Sequence, residues 1–133
     1  MKYDEFLKQQ KKTKVRHPPR HQESQIQRNI VQWFRMEYPT YMIAAVPNGG
    51  YRTTAEARIM KSEGVLAGFS DLIIIADKNI LFVEVKTSKG RQSETQKEFQ
   101  KNVERLGFQY RICRSLSDFI LIVEKWLKER YGI

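Results

Sequence analysis

Apolar positions along this chain switch repeatedly between helical and strand spacing, and the switches define eight elements. From about Gln22, residues Ile26, Ile30, Trp33 and Phe34 form a stripe at helical spacing that Pro39 ends. Tyr41 to Val46 reads as a first strand, closed by the turn Pro47-Asn48-Gly49-Gly50. Thr53 and Glu56 have capping-box spacing for a helix running to about Glu63, with Gly64 as its stop. Two dense apolar runs follow, Leu72 to Ala76 and Ile80 to Val85, separated by Asp77-Lys78-Asn79; they predict a central hairpin. Ser93 and Gln96 again have capping-box spacing, here for a helix that turns Phe99, Val103 and Leu106 inward and ends at Gly107. Phe108 to Arg114 is a last strand, with Phe108, Tyr110 and Ile112 on one face. Ser115-x-x-Asp118 then opens a helix through about Arg130 that carries Phe119, Ile122, Val123 and Trp126 as its core stripe. The order is that of an α/β fold, a mixed β-sheet flanked by helices.

Charge in the central hairpin interrupts this pattern. Asp71 enters its first strand, and Glu84 and Lys86 lie near the end of its second. Strand side chains alternate, so Glu84 and Lys86 share a face and Val83 and Val85 take the other. A turn at Asp77 to Asn79 puts Asp71 at the same end of the hairpin as Glu84. Two carboxylates brought together repel, and their desolvation is unfavourable. A divalent cation removes the conflict, and Mg²⁺ is typically held by one or two carboxylates beside a substrate phosphate. Lys86 there can orient a water or neutralise charge on phosphorus, which is the layout of a phosphodiesterase. A same-face ion pair between Glu84 and Lys86 explains the tripeptide alone equally well.

Composition narrows the partner. The 133 residues suit one domain and include 24 Lys and Arg against 15 Asp and Glu, a net charge of +9. Such a field attracts a polyanion. Residues 1 to 22 carry seven basic residues against Asp4 and Glu5, so residues 1–21 read as a polar, basic leader before a domain at 22–133; this leader is either solvated or a nucleic-acid arm. Its His-Pro-Pro-Arg end cannot continue a helix. The single cysteine, Cys113, excludes an internal disulfide, suits a reducing cytoplasm and reads as a small buried residue. His17 and His21 are too few soft ligands for zinc, and no apolar run approaches the ~20 residues of a membrane span. A soluble, cytoplasmic protein is expected.

Other candidate positions are individually ambiguous. Glu23 in the first helical turn complements the helix dipole or reaches the site. Gln96 is a cap residue that can also face Glu84. Asn48 lies in a glycine-rich turn open to a ligand, Arg52 and Arg58 follow it, and Lys89 and Arg91 sit in a loop beside the carboxylates; these five are the candidate DNA contacts or ordinary surface residues.

Taken in order, Glu23, Pro47-Asn48-Gly49, Gly68-Phe69-Ser70-Asp71, Glu84-Val85-Lys86 and Ser93-x-x-Gln96 resemble the PD-(D/E)xK nuclease superfamily. Within it they resemble the stand-alone VRR-NUC (virus-type replication-repair nuclease) group of phages. Ser70 departs from the proline of the superfamily motif, while the Gly-x-x-Asp spacing is kept. The resemblance implies a restriction-endonuclease-like core, with Asp71, Glu84 and the Val85 carbonyl as metal ligands for Mg²⁺ or Mn²⁺ and Lys86 as the catalytic lysine. Glu23 and Gln96 would complete the site. It further implies a structure-selective DNA endonuclease leaving 5′-phosphates, with Holliday junctions or other branched DNA as substrate. Symmetric cutting of a junction calls for two sites, hence a homodimer. A restriction-type duplex endonuclease fits less well, since the chain has no spare module for reading bases. A catalytically inactive DNA-binding protein is expected to lack Asp71, Glu84 or Lys86, and all three are present.

Overall fold

The computed structural model describes residues 3–11, 19–47 and 53–132. Four strands, β1 (Met42–Ala45), β2 (Leu72–Ala76), β3 (Asn79–Val85) and β4 (Gln109–Cys113), form one sheet in the order β1-β2-β3-β4. The first two pairings are antiparallel and the third is parallel. The helices are α1 (Tyr3–Lys11), α2 (Pro19–Glu37), α3 (Thr54–Ser62), α4 (Glu94–Arg105) and α5 (Leu116–Tyr131). This is the expected mixed α/β layering, restriction-endonuclease-like, with α4 as the crossover that a parallel β3–β4 pair requires.

The alternation within β3 sorts the core into two layers. Leu81, Val83 and Val85 face α2 and α5, joining Ile30, Trp33, Phe34, Phe119, Val123 and Trp126 in the larger cluster. On the opposite face Phe82 meets α4 through Phe99, with Val103, Tyr110, Phe69 and Ile112 around it. Glu84 belongs to this second face by its register.

Several boundaries differ from the sequence reading, each for a local reason. The first full helix begins at Pro19 rather than Gln22, since proline is preorganised for the first helical position, where its missing N–H is no loss. Glu23 is therefore in the second turn, and the helix-dipole explanation for it lapses. Among the described residues of the leader, Tyr3–Lys11 is helical, and Phe6, 1% exposed, enters the larger core. The hairpin turn is the pair Asp77-Lys78, because Ala76 pairs with Asn79, and Lys78 takes the left-handed conformation at φ 57°. Leu106 is 63% exposed rather than inward; it caps the C-terminus of α4, past the last turn that meets the sheet. The capping boxes at Thr53 and Ser93 form in full. At Ser115 the hydroxyl accepts from the Asp118 amide, while the Asp118 carboxylate turns back to the Arg114 amide. No helix among the described residues is long and apolar enough to cross a membrane.

Candidate active site

The antiparallel register that pairs Leu72 with Val83 brings Asp71 and Glu84 to neighbouring positions at one end of the hairpin. Asp71 has left the strand but still bonds to the chain on both sides of it. Its carbonyl accepts from the Val46 amide at 2.8 Å, and its Oδ2 accepts from the Val85 amide at 2.8 Å. A carboxylate thus takes the place of the next rung of the β2–β3 ladder. In an antiparallel strand the N–H and C=O of one residue point to the same side, so the Val85 carbonyl leaves β3 on the side where Asp71 lies.

Glu84 is the one charged residue fully buried among the described residues, at 1% exposure. Its Oε1 accepts from Gln96 Nε2 at 2.9 Å and lies 3.7 Å from Lys86 Nζ. Its Oε2 is buried and, when ionised, finds no hydrogen-bond donor among the described residues. Burial above all, then the negative charge of Asp71 and a hydrogen bond that the protonated carboxyl can share with it, push the Glu84 carboxyl up to about 8, while the Lys86 ammonium opposes the shift. A buried oxygen without a partner is costly and is uncommon in a folded protein.

Gln96 performs both of the roles open to it in the sequence. Its Oε1 accepts from the Ser93 amide at 2.9 Å, closing the capping box, while its Nε2 donates to Glu84. The amide is thereby held at both ends, and the start of α4 is tied to the carboxylate. Gly68 sets the distance between them. It has φ +79°, and a Cβ there would stand 2.3 Å from the Thr95 carbonyl atoms, so only glycine lets this chain pass the first turn of α4. Phe69 then packs on Phe99 in a tilted pair with ring centroids 4.4 Å apart, and the buried Ser70 hydroxyl donates to the Leu72 carbonyl at 3.0 Å. Serine at this position anchors the approach to Asp71 through a bond that proline cannot make.

Asp71, Glu84, Val85, Lys86 and Gln96 are thus brought together. Glu23 is half-buried on α2, and among the described residues no hydrogen bond or ion pair joins it to Asp71, Glu84 or Lys86. Asn48 and Arg52 lie outside the described residues. Arg58 is exposed on α3, and Lys89 and Arg91 are exposed in the loop after β3. No group of three or more His, Cys, Asp and Glu side chains converges among the described residues. Two carboxylates and a carbonyl suit a hard cation that keeps several waters, and the unpartnered Glu84 Oε2 fits that demand. Cys113 is fully buried and its thiol is pushed up to about 12 by burial, so it is inert.

This arrangement sits within a family whose sequence profile, that of the VRR-NUC domain, matches residues 21–117. The chain belongs to the VRR-NUC domain family. It is therefore a member of a nuclease family, and the span matched runs from α2 into the start of α5. A solved structure described as a VRR_NUC domain protein superposes with a TM-score of 0.65 at 22% identity, covering 86% of this chain and 92% of the other. At that identity the likeness speaks for the fold. No curated protein matches the chain significantly.

Around this VRR-NUC site lie residues that the sequence pattern left unassigned. Tyr110 was legible only as a core residue of β4. Its buried hydroxyl accepts from Gln92 Nε2 at 3.3 Å, and Gln92 also donates to Gln100 at 2.8 Å. Burial above all raises the phenol pKa, the Gln92 hydrogen bond opposes the rise, and the negative charges of Glu84 and Asp71 add to it. Arg114 holds the loop after β3. Neither role has a local sequence signal, since each depends on the parallel β3–β4 pairing. A cavity of about 790 Å³ between Tyr38, Pro39, Tyr41, Leu121 and Lys128 includes none of the site residues.

Proposed function

We propose that this VRR-NUC domain is a divalent-metal-dependent endodeoxyribonuclease that cuts branched DNA, with four-way junctions as the preferred substrate. The observation that carries the reading is the buried Glu84 carboxyl, with one oxygen unpartnered and Asp71 beside it. Asp71, Glu84 and the Val85 carbonyl are the groups that would hold Mg²⁺ or Mn²⁺. When bound, the cation supplies a Lewis acid for the scissile phosphate and eases deprotonation of the attacking water.

The protein's own residues supply the remainder. Gln96, locked by the Ser93 cap, fixes one Glu84 oxygen and leaves the other buried without a donor. The Lys86 ammonium orients the water and offsets charge as it builds on the non-bridging phosphate oxygens. Water attacks phosphorus in line with the 3′ oxygen; the P–O3′ bond breaks, one water proton is lost to solvent, and the 3′ oxygen takes a proton from solvent as it leaves, with the phosphate kept on the 5′ side. Arg58, Lys89 and Arg91, with Asn48 and Arg52, are the proposed DNA contacts, and Glu23 a supporting residue. The excess of 24 basic over 15 acidic residues favours a polyanion. Paired cuts across a junction need two active sites, so a two-fold homodimer is proposed.

The test is cleavage of matched linear duplex and four-way junction DNA in Mg²⁺, Mn²⁺ and EDTA, by the wild type and Lys86→Ala. Paired cuts on the junction that require metal and vanish in the variant are expected. Intact DNA binding without cleavage of either substrate would refute the reading.

A further inference from the structure

Arg114 is an exposed basic residue at the end of β4, and in a protein of this charge the simplest role for it is one more phosphate contact. Its hydrogen bonds point elsewhere. Arg114 Nη1 donates to the Thr87 carbonyl at 2.6 Å and to the Gly90 carbonyl at 2.8 Å, which commits both hydrogens of that nitrogen to the protein. The two carbonyls are the ends of a single turn, Thr87-Ser88-Lys89-Gly90, closed by the Gly90 amide donating to Thr87 at 3.1 Å. The arginine itself is anchored, because its amide donates to Asp118 Oδ2 at 3.0 Å and the preceding residue, Cys113, accepts from the Lys86 amide at 2.9 Å.

The turn in its place bears on Lys86. Gly90 lies against the methylene stem of that side chain, so closely that an added Cβ would stand 3.3 Å from Lys86 Cδ and 3.4 Å from Lys86 Cβ. The Lys86 side chain is 12% exposed, and its ammonium reaches Glu84 at 3.7 Å. A four-carbon stem has many rotamers, and covering it on one side restricts them.

We infer that Arg114 is a positioning residue: it clamps the Thr87–Gly90 turn over the Lys86 stem and so holds the ammonium at the carboxylate site, rather than binding DNA itself. The inference rests on the role of Lys86 in the proposed nuclease reaction. It assigns the loop a function beyond displaying Lys89 and Arg91.

Arg114→Ala and Arg114→Lys separate the two roles. For the clamp, kcat on junction DNA falls about 10- to 100-fold in Arg114→Ala with KM little changed. The slope of log K against log salt for DNA binding stays at the wild-type value, since no phosphate contact is lost. Arg114→Lys keeps the charge but not the planar fork, and its kcat stays low. Amide exchange at Gly90 accelerates in Arg114→Ala with the global melting temperature retained. A slope shallower by about 1, or DNA binding restored by lysine, makes Arg114 a phosphate ligand and overturns the inference. Unchanged Gly90 exchange overturns it too. If the wild type cuts no DNA, the nuclease reading fails by itself, and Gly90 exchange still decides the clamp.

Discussion

Replacing Glu84 by glutamine isolates the energetic consequence of burying this carboxyl. Glu84 ionises near 4.5 when solvated and near 8 in the folded, metal-free protein. Below about pH 4.5 the carboxyl is protonated in both states and ionisation has no effect on stability. Between 4.5 and 8 the unfolded chain has lost the proton and the folded chain keeps it. Stability therefore falls as pH rises through this window, by about 1.4 kcal/mol per pH unit. The accumulated loss at pH 7 is about 3 kcal/mol, and at pH 5 less than about 1. Glutamine is neutral throughout and keeps an oxygen for Gln96 Nε2. Glu84→Gln is thus expected to stabilise the protein in EDTA by about 3 kcal/mol at pH 7, a rise in melting temperature on the order of 10 °C, with most of that gain gone at pH 5. Thermal melts at both pH values provide the assay. Added Mg²⁺ should raise the melting temperature of the wild type by mass action and leave the variant unmoved. Equal melting of the two proteins at pH 7 in EDTA, or a gain as large at pH 5 as at pH 7, would refute the reasoning.

The two residues that tie the carboxylates to α4 have separable consequences. Gly68→Ala puts a Cβ 2.3 Å from Thr95 backbone atoms at φ +79°, so a loss of roughly 2 kcal/mol or more is expected in chemical denaturation, together with reduced activity as Asp71 and Gln96 move apart. Gln96→Ala removes half of a capping box and the donor to Glu84; about 1 kcal/mol of stability should be lost, with weaker Mn²⁺ binding by titration calorimetry, whereas retained Mn²⁺ affinity would limit Gln96 to capping.

Much of the fold was legible because it follows from local chemistry. Capping boxes at Thr53 and Ser93 declared two helix starts, and the apolar runs either side of Asp77 declared the hairpin. Alternation along β3 was enough to put Glu84 and Lys86 together and Val83 and Val85 opposite. The errors arose where tertiary packing outweighed local pattern. Phe6, an isolated aromatic in a charged segment, lacks the periodicity that marks a core helix, yet the larger core takes it in. Leu106 has the right spacing but sits past the last turn of α4 that meets the sheet.

By itself the sequence determined the element order, the family and the small set of residues from which an active site can be made, since hydrophobic period, cap spacing and motif order are properties of neighbours along the chain. Only the tertiary structure decided how that set is held: Glu84 buried with an unpartnered oxygen, Gln96 serving cap and carboxylate at once, Gly68 against α4, and Arg114 clamping the turn over Lys86. The contacts of Gln96 with Glu84, Gly68 with Thr95 and Arg114 with Thr87 join residues 12 or more positions apart, whose proximity follows from strand register and the parallel crossover and is written in no local pattern.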